Sequence, residues 1–221
     1  MGRARPEELE HYNSYLEVDL GAIARNVERV RRHIGPKHGI IPVVKGNAYG
    51  LGTVEVARLL AERCGVQLIA NAHVLESMQI RQAGVDADLM ILGALPPHAI
   101  PYGPRYDLQL TVFNRQTVEL LSQACRQQGK VGKVHVKIET GLGRIGVEPG
   151  PPLEELLDAI EGAGNLEIVG VFTHFATAAQ WGSPYARQQL ALFQQAMEQV
   201  YRRGIRPQYV HTANTGATVW L

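Results

Sequence analysis

Short apolar segments alternate along the chain with longer segments whose apolar residues recur at helical spacing. The short segments are predicted strands, and most carry apolar residues at both odd and even positions, which is typical of parallel strands covered on both faces. They lie at 39–44, 66–70, 88–92, 108–113, 133–138, 166–172 and 208–211. A further short strand is predicted at 16–19, where apolar and polar residues alternate.

The segments between the strands predict helices, several of which begin with a recognisable capping residue. Asp19 and Asn114 are side chains that accept hydrogen bonds at a helix start, and prolines suit a first helical turn. The predicted helices lie at 20–34, 53–63, 114–127, 151–162 and 183–203, whereas 93–107 contains too many prolines for a long helix. Alternating strands and helices predict a parallel β/α fold, and both a doubly wound open sheet and a closed barrel fit this pattern.

The composition narrows the range of partners. The chain has 221 residues, with 22 Lys and Arg against 21 Asp and Glu, so neither a nucleic acid nor an anionic membrane is expected as a partner. No apolar run approaches the roughly 20 residues of a membrane span. The first 14 residues lack the apolar core of a signal peptide and predict a flexible arm at 1–14. Cys64 and Cys125 have no CxxC spacing, which favours buried thiols and a cytoplasmic location.

One predicted strand separates its apolar and polar residues by face. In 133–138, one face carries Val134, Val136 and Ile138, and the other carries His135 and Lys137, followed by Glu139. An apolar outward face and a polar inward face predict a barrel whose mouth carries out chemistry. The alternative is an edge strand with one solvated face.

Basic side chains also lie at the ends of other predicted strands. Lys45 ends the first strand and is followed by a glycine-rich turn, and His174 and His211 lie at later strand ends. A single strand-end lysine is usually one that extends its ammonium group into water. Together with Arg144, just beyond a fourth strand, these residues predict a polar pocket at one end of the fold.

The residues of this pocket suit pyridoxal phosphate. A lysine amine forms a Schiff base with an aldehyde, and pyridoxal phosphate is the common biological aldehyde of this kind. Asn214 and Thr215 lie between a strand and a predicted helix, where backbone N–H groups and a hydroxyl suit a phosphate. Tyr49 offers a second hydroxyl, and the guanidinium of Arg144 suits a phenolate or a carboxylate.

The segment VVKGNAYGLG at 43–52 resembles the cofactor-lysine motif of the alanine racemases. The segment LEVDLGAIARN resembles the family's opening strand and helix, and four segments resemble its later strand-end motifs, in the family's order: LMILG, KIETGLGRIGV, VGVFTHFATA and HTANTGA. The resemblance extends from about residue 15 to the last residue. It implies a (β/α)8-type TIM-like barrel that stops before its last strand, and so decides between barrel and open sheet.

The resemblance also implies site residues and their roles. Lys45 would carry the cofactor as a Schiff base and act as one of two acid/base groups, Arg144 would contact the cofactor phenolate and the substrate carboxylate, and His174 would lie against the ring. These three are the expected catalytic residues, and no metal is expected. The expected cofactor contacts are Lys45, Tyr49, Leu92, Arg144, His174, Asn214 and Thr215. Lys137 matches a lysine that is often carbamylated in the family.

The implied function is a pyridoxal-phosphate-dependent isomerase, an alanine racemase that interconverts L-alanine and D-alanine, a cell-wall precursor. Gly46 and Leu51 replace the usual alanine and histidine of the lysine motif, and Thr215 replaces a serine. Family members continue into a C-terminal β-domain, which supplies the second acid/base group across a homodimer interface. Residues 15–221 are therefore expected to form an incomplete barrel domain, weak or inactive as a racemase. The alternatives are a non-catalytic single-barrel pyridoxal-phosphate protein, a racemase for serine or another amino acid, and a decarboxylase.

Overall fold

A computed structural model describes residues 12–220 and contains one parallel sheet. Its six strands follow one another in the sheet in chain order, each pairing in parallel with the next. They are β1 (Leu68–Asn71), β2 (Asp88–Ile91), β3 (Leu108–Val112), β4 (Gly132–Lys137), β5 (Leu166–Phe172) and β6 (Tyr209–His211). A doubly wound sheet reverses its strand order at a switch point. The unbroken order therefore identifies the barrel type of winding.

Contacts across the inner face show that the sheet curls into a partial barrel. The hydroxyl of Tyr209, on β6, donates a 3.4 Å hydrogen bond to Asp88 on β2, although three strands separate the two in the sheet. An inner apolar cluster joins side chains from both halves of the sheet, with Leu68 and Met90 on one side and Phe172 on the other. The fold class predicted through the family resemblance is thus confirmed.

Helices cover the outer face of the sheet, and all five predicted ones are present. They are α1 (Leu20–Ile34), α2 (Thr53–Arg58, continuing into a π-helical turn at Leu59–Arg63), α3 (Val74–Gln82), α4 (Tyr102–Arg105), α5 (Arg115–Gln128), α6 (Pro151–Ala163), α7 (Pro184–Arg202) and α8 (Thr215–Trp220). The predicted caps form as well: the side chains of Asp19 and Asn114 accept the N–H groups of Ala22 and Thr117 at 3.0 and 2.9 Å. Sequence periodicity missed α3, whose apolar residues follow no clear stripe.

The main core lies between the sheet and these helices. Val134, Val136 and Ile138 of the β4 segment are fully buried there together with Leu121 of α5 and Leu157 of α6. His135 and Lys137, on the opposite face of β4, are buried inside the partial barrel. This division confirms the predicted apolar outward face and polar inward face.

Two predicted strands were wrong in extent. The segment 39–44 forms a single parallel bridge, in which Val43 pairs with Ala70 of β1. The carbonyl of Pro42 accepts the Ala70 N–H at 2.9 Å, but a proline has no N–H to continue the ladder. Residues 16–19 form no strand, and Asp19 caps α1 instead.

The proline-rich segment 93–107 holds only a 3₁₀ turn (Pro97–Ala99) and the single-turn α4, as predicted. The arm predicted at 1–14 lies mostly outside the described residues. Within 12–220, no helix combines the length and the apolar character that a membrane crossing requires.

Candidate active site

Lys45 begins a backbone turn of unusual hand. The preceding residue, Val44, is buried, and its N–H donates a 2.9 Å hydrogen bond to the Ala70 carbonyl, which ties the turn to the sheet. The four residues from Gly46 to Tyr49 all have positive φ, at 64°, 55°, 52° and 57°. A left-handed conformation costs roughly 1–2 kcal/mol for a residue with a Cβ atom. The turn is therefore strained, and it needs support from its surroundings.

Glu76 and Asn47 supply part of that support. The N–H of Asn47 donates a 2.8 Å hydrogen bond to Glu76 Oε1, and Asn47 Oδ1 accepts the N–H of Thr53 at 3.0 Å. Tyr49 is 67% exposed and Lys45 is also exposed, so the turn presents both side chains at the mouth of the partial barrel. Sequence reasoning missed Glu76; the dense Gly and Asn content of GNAYG is the signal that could have indicated the left-handed turn.

Lys137 lies deeper in the same mouth. Its side chain is almost completely buried, Nζ donates a 2.9 Å hydrogen bond to the Ile138 carbonyl, and the ammonium group lies 5.4 Å from the centre of the Phe172 ring. Burial lowers the pKa of Lys137 to about 8; the charge of Glu139 opposes this shift and that of Arg144 adds to it. At neutral pH the amine is mainly protonated, and its neutral minority, larger than that of an ordinary lysine, is the nucleophilic form.

Arg144 follows β4 on a loop held by Glu139. The two carboxylate oxygens of Glu139 accept the backbone N–H groups of residues 141–144 at 2.5 to 3.4 Å. Within residues 12–220, the guanidinium of Arg144 makes neither an ion pair nor a hydrogen bond. The loop thus presents an unpaired positive charge, and sequence reasoning did not identify Glu139 as its support.

His174 brings the basic residues into one site. Burial lowers the pKa of its imidazole, and the positive charges of Arg144, Lys137 and Lys45 lower it further. The segment after the 39–44 bridge and the end of β4 with its following loop therefore place three cations within electrostatic range of one ring. At neutral pH the imidazole of His174 is neutral, and the site carries a net positive charge that suits an anionic ligand.

Two further histidines, the buried His135 and the half-buried His211, form a polar layer below the mouth. His135 donates or accepts a 2.7 Å hydrogen bond with Gln109, and its ring lies 5.7 Å from that of His211. Burial lowers the pKa of His135 to about 3 and that of His211 to about 4, so both rings are neutral. His211, named above as a strand-end residue, stacks on Phe172 at 4.7 Å and is part of this inner layer.

The expected phosphate-binding residues lie at the start of α8. Asn214 Oδ1 accepts the N–H of Ala217 at 3.0 Å, and Nδ2 donates to the Phe175 carbonyl at 3.2 Å, which ties α8 to the end of β5. Thr215 is exposed at the first helical position. A Cβ atom on Gly216 would lie 2.7 Å from the Ala179 backbone nitrogen, so only glycine allows this close packing.

The described residues fit pyridoxal phosphate. They supply an exposed amine on Lys45, an unpaired guanidinium on Arg144, a flat neutral ring on His174 and a hydroxyl at the start of α8. Leu92 adds an apolar contact, since it packs against the inner cluster at the end of β2. No hydrogen bond joins Thr215 to Lys45 or Tyr49 in the part of the chain that the structure describes.

A parallel sheet curled into a partial barrel, with basic side chains near the carboxyl ends of its strands, defines a β/α barrel protein. The sequence model of the family described as "Alanine racemase, N-terminal domain" matches residues 18–221. The chain belongs to this family through that domain.

Curated relatives agree with the family assignment. The chain is 34% identical over 208 residues to alanine racemase 1 of Oceanobacillus iheyensis and 35% identical over 202 residues to alanine racemase 2 of Caldanaerobacter subterraneus. These matches cover 94% and 91% of the chain but 55% and 52% of the relatives. The chain thus spans about half the length of the curated relatives that it matches.

Solved structures extend the comparison. The alanine racemase of Streptomyces coelicolor superposes with a TM-score of 0.87 at 31% identity. The match covers 92% of the present chain and 55% of the Streptomyces chain. The Bacillus anthracis enzyme with bound L-Ala-P has a TM-score of 0.85 at 36% identity, with 92% and 52% coverage. A histidine racemase from Leuconostoc mesenteroides has a TM-score of 0.78 at 25% identity, with 90% and 52% coverage.

Proposed function

We propose that the chain is the pyridoxal-phosphate-binding part of an amino-acid racemase, with alanine as its substrate. The observation that carries this proposal is the placement of Lys137 and His174 at the carboxyl ends of β4 and β5, with Arg144 on the loop after β4 and Lys45 after the bridge to β1. The family match over 18–221 supports alanine as the substrate. The similarity to a histidine racemase supports amino-acid racemisation as the wider class.

Each site residue has a proposed task. Lys45 holds the cofactor covalently through its amine and moves a proton at the substrate α-carbon. Arg144 binds the phenolate oxygen of the cofactor and the carboxylate of the substrate, and His174 packs against the ring. Tyr49 and Thr215 orient the phosphate. When bound, pyridoxal phosphate supplies an electron sink for the carbanion at the α-carbon.

Three further residues belong to the proposed site: Leu92, Asn214 and Lys137. We propose that Leu92 excludes water from one side of the ring and that Asn214 fixes the start of α8, where the phosphate binds. The neutral form of the Lys137 amine is proposed to attack CO₂, forming an N–C bond and releasing one amine proton to water, and its pKa of about 8 supports this role. The resulting carbamate would be anionic and would hold Arg144 in place. Carbon-13 NMR in labelled bicarbonate tests this step. We expect a carbamate signal from the unchanged chain and none from Lys137→Met.

The second proton-transferring group is proposed to lie outside these 221 residues. Racemisation removes the α-proton on one face and returns a proton on the other, which needs two groups. Lys45 serves one face, and a homodimer of the whole protein is proposed to complete the other. Cys64 and Cys125 are buried free thiols, which supports the proposal of a reducing, cytoplasmic location.

Titration with pyridoxal phosphate, followed by borohydride reduction and peptide mapping, tests cofactor attachment. Lys45 is the expected modified residue, and the exposed Lys37 provides a matched control, so Lys45→Ala should abolish labelling and Lys37→Ala should not. Labelling that survives in Lys45→Ala would contradict the proposal.

Exchange of the α-hydrogen in D₂O separates a racemase from a non-catalytic carrier of the cofactor. We expect the loaded chain to exchange the α-hydrogen of alanine from one enantiomer while interconverting the two only weakly, because the group proposed for the other face lies outside these 221 residues. Serine and histidine in the same assay test other substrates. Absence of exchange with every amino acid would favour the carrier.

A further inference from the structure

The loop at 139–147, which carries Arg144, is closed at its base; we call it the arginine loop. The N–H of Glu139 donates to the Val147 carbonyl at 2.8 Å, and the N–H of Val147 donates to the Lys137 carbonyl at 2.9 Å. A Cβ atom on Gly146 would lie 2.6 Å from the Glu139 backbone nitrogen, so the two sides of the base touch. The ends of the loop are therefore fixed to the sheet.

The carboxylate of Glu139 fills the interior of the arginine loop. Oε1 accepts the N–H groups of Gly141 and Leu142 at 2.5 and 2.6 Å, and Oε2 accepts those of Gly143 and Arg144 at 3.1 and 3.4 Å. Successive N–H groups that converge in this way form a concave site for an anion. Burial alone would raise the pKa of Glu139, but these N–H groups together lower it below its ordinary value, so the carboxylate is ionised at neutral pH.

The conformation of the loop depends on glycine and on one further contact. Gly141 and Gly143 have φ of 122° and 71°, which residues with a Cβ atom rarely adopt. The hydroxyl of Tyr185, on α7, donates a 2.7 Å hydrogen bond to the Gly141 carbonyl. The tip of the arginine loop is thus attached to a helix, and its interior is attached to Glu139.

Because the Glu139 carboxylate binds the loop backbone, it does not form an ion pair with Arg144. A carboxylate five positions before an arginine is a natural ion-pair partner, yet both oxygens of Glu139 are engaged by the backbone. Among residues 12–220, no other carboxylate pairs with the guanidinium of Arg144. The same group that shapes the loop therefore leaves the cation unpaired.

We propose that Glu139 is a positioning residue for Arg144: it folds the arginine loop around its own carboxylate and so holds an unpaired guanidinium for a ligand anion. The inference rests on the proposed function, in which that anion belongs to the cofactor or to the substrate. Glu139 acts through Arg144 and does not itself touch the ligand.

Amide hydrogen exchange of the cofactor-free protein tests the first part. In Glu139→Gln, one of the two acceptor oxygens becomes an N–H₂ donor, and we expect the amides of residues 141–144 to exchange at least about tenfold faster. The matched control is Glu62→Gln, which makes the same charge change at an exposed pair with Arg58. Unchanged exchange rates in Glu139→Gln would overturn the proposal.

A double-mutant cycle on the affinity for pyridoxal phosphate tests the second part. We expect Glu139→Gln and Arg144→Ala each to weaken binding about tenfold, and the double variant to bind no more weakly than Arg144→Ala, because one effect passes through the other. Losses that simply add would overturn the proposal by assigning Glu139 a merely structural role. Failure of the unchanged chain to bind pyridoxal phosphate would contradict the proposed function, and the exchange measurement would then decide the role of Glu139.

A milder variant guards against a folding defect. Tyr185→Phe removes one hydrogen bond from the tip of the arginine loop without changing any charge. We expect it to speed exchange at residues 141–144 by a smaller factor and to leave thermal unfolding of the chain unchanged. Equal exchange in Tyr185→Phe and the unchanged chain would contradict the view that the loop is held at its tip.

Discussion

The amine of Lys137 is the most strongly perturbed cation of the site. Burial lowers its pKa from the ordinary 10.5 to about 8, a difference that corresponds to about 3 kcal/mol of folding free energy when the amine is charged. Below pH 8 the amine is protonated in both the folded and the unfolded states, and the folded state bears the full cost. Above pH 10.5 it is neutral in both states, and the cost disappears.

Between these limits the free energy of unfolding should rise with pH, because the unfolded chain retains its proton longer than the folded chain. We expect Lys137→Met to abolish this rise and to stabilise the protein by up to about 3 kcal/mol at neutral pH in CO₂-free buffer. Urea titrations from pH 7 to pH 11 measure it. Lys37→Met, at an exposed position, should reproduce the behaviour of the unchanged chain. A rise that persists in Lys137→Met would contradict the prediction.

The residues of the candidate site were predictable where a strand fixes them. The parity of β4 places Lys137 inside the barrel, and the ends of successive parallel strands bring Lys45 and His174 to the same edge. Glu76 and Glu139 were not predictable as supports, because each binds backbone N–H groups of a loop whose conformation depends on positive φ angles. Periodicity contains no information about those angles.

The pairing of β4 with β5 depends on a residue without a side chain. Gly170 lies opposite His135, and a Cβ atom there would lie 2.0 Å from His135 Nδ1. The imidazole is fully buried and cannot move aside into solvent. We therefore expect Gly170→Ala to destabilise the protein by about 2 kcal/mol or more, as for an overpacked core.

Urea unfolding of Gly170→Ala and Gly162→Ala provides the comparison. Gly162 lies in the last turn of α6 with no atom near its hypothetical Cβ. Alanine is the better helix former, so Gly162→Ala should stabilise the protein by about 0.5–1 kcal/mol. Similar effects of the two substitutions would show that the space beside His135 is unimportant.

An arginine at the end of α7 contacts three carboxylates on α6. Arg203 contacts Glu154, Asp158 and Glu161 at 2.9, 2.5 and 2.5 Å, and its side chain is only 22% exposed. Removing it would leave three carboxylates on one helix face without a counter-charge. We expect Arg203→Met to lower the free energy of unfolding by about 1–2 kcal/mol, an effect that salt should reduce.

The control for this prediction is Arg115→Met. Arg115 pairs with Glu119 at 3.8 Å on an exposed helix face, and such pairs contribute only about 0.3–0.5 kcal/mol. Unfolding in low and high salt distinguishes the two variants. An Arg203→Met variant as stable as Arg115→Met would contradict the importance of the three-carboxylate cluster.

Sequence periodicity predicted the long helices and most strands, because their apolar residues face one continuous core. It overestimated the segment 39–44, where Pro42 interrupts the ladder. It missed α3 (Val74–Gln82), whose residues lie beside the strained turn and are partly committed to supporting it. The choice of barrel over open sheet came from the family resemblance, since the order of strands in a sheet is not visible in a pattern of apolar residues.

The curled sheet presents β6 as an edge strand. Val210, at the centre of β6, lies between the inward-facing Tyr209 and His211 and therefore faces outward, where it is 44% exposed. An exposed apolar edge strand promotes association between chains. We expect Val210→Lys to reduce the concentration-dependent association of these 221 residues, as measured by sedimentation or light scattering.

Val131 provides the matched control, because it is 63% exposed but lies just before β4, which has a neighbour on both sides. Val131→Lys makes the same change of charge and volume away from the sheet edge and should leave association unchanged. Equal effects of the two lysines would attribute the result to net charge and not to the edge.

The left-handed turn at Gly46–Tyr49 has a consequence for anyone who wishes to redesign this pocket. Most amino acids, and β-branched ones above all, are poorly tolerated at four successive positions of this backbone hand. Randomising these codons would therefore yield mainly unfolded clones. Leu51, which has an ordinary φ of −94° and is 40% exposed, is a freer position from which to alter what enters the mouth of the barrel.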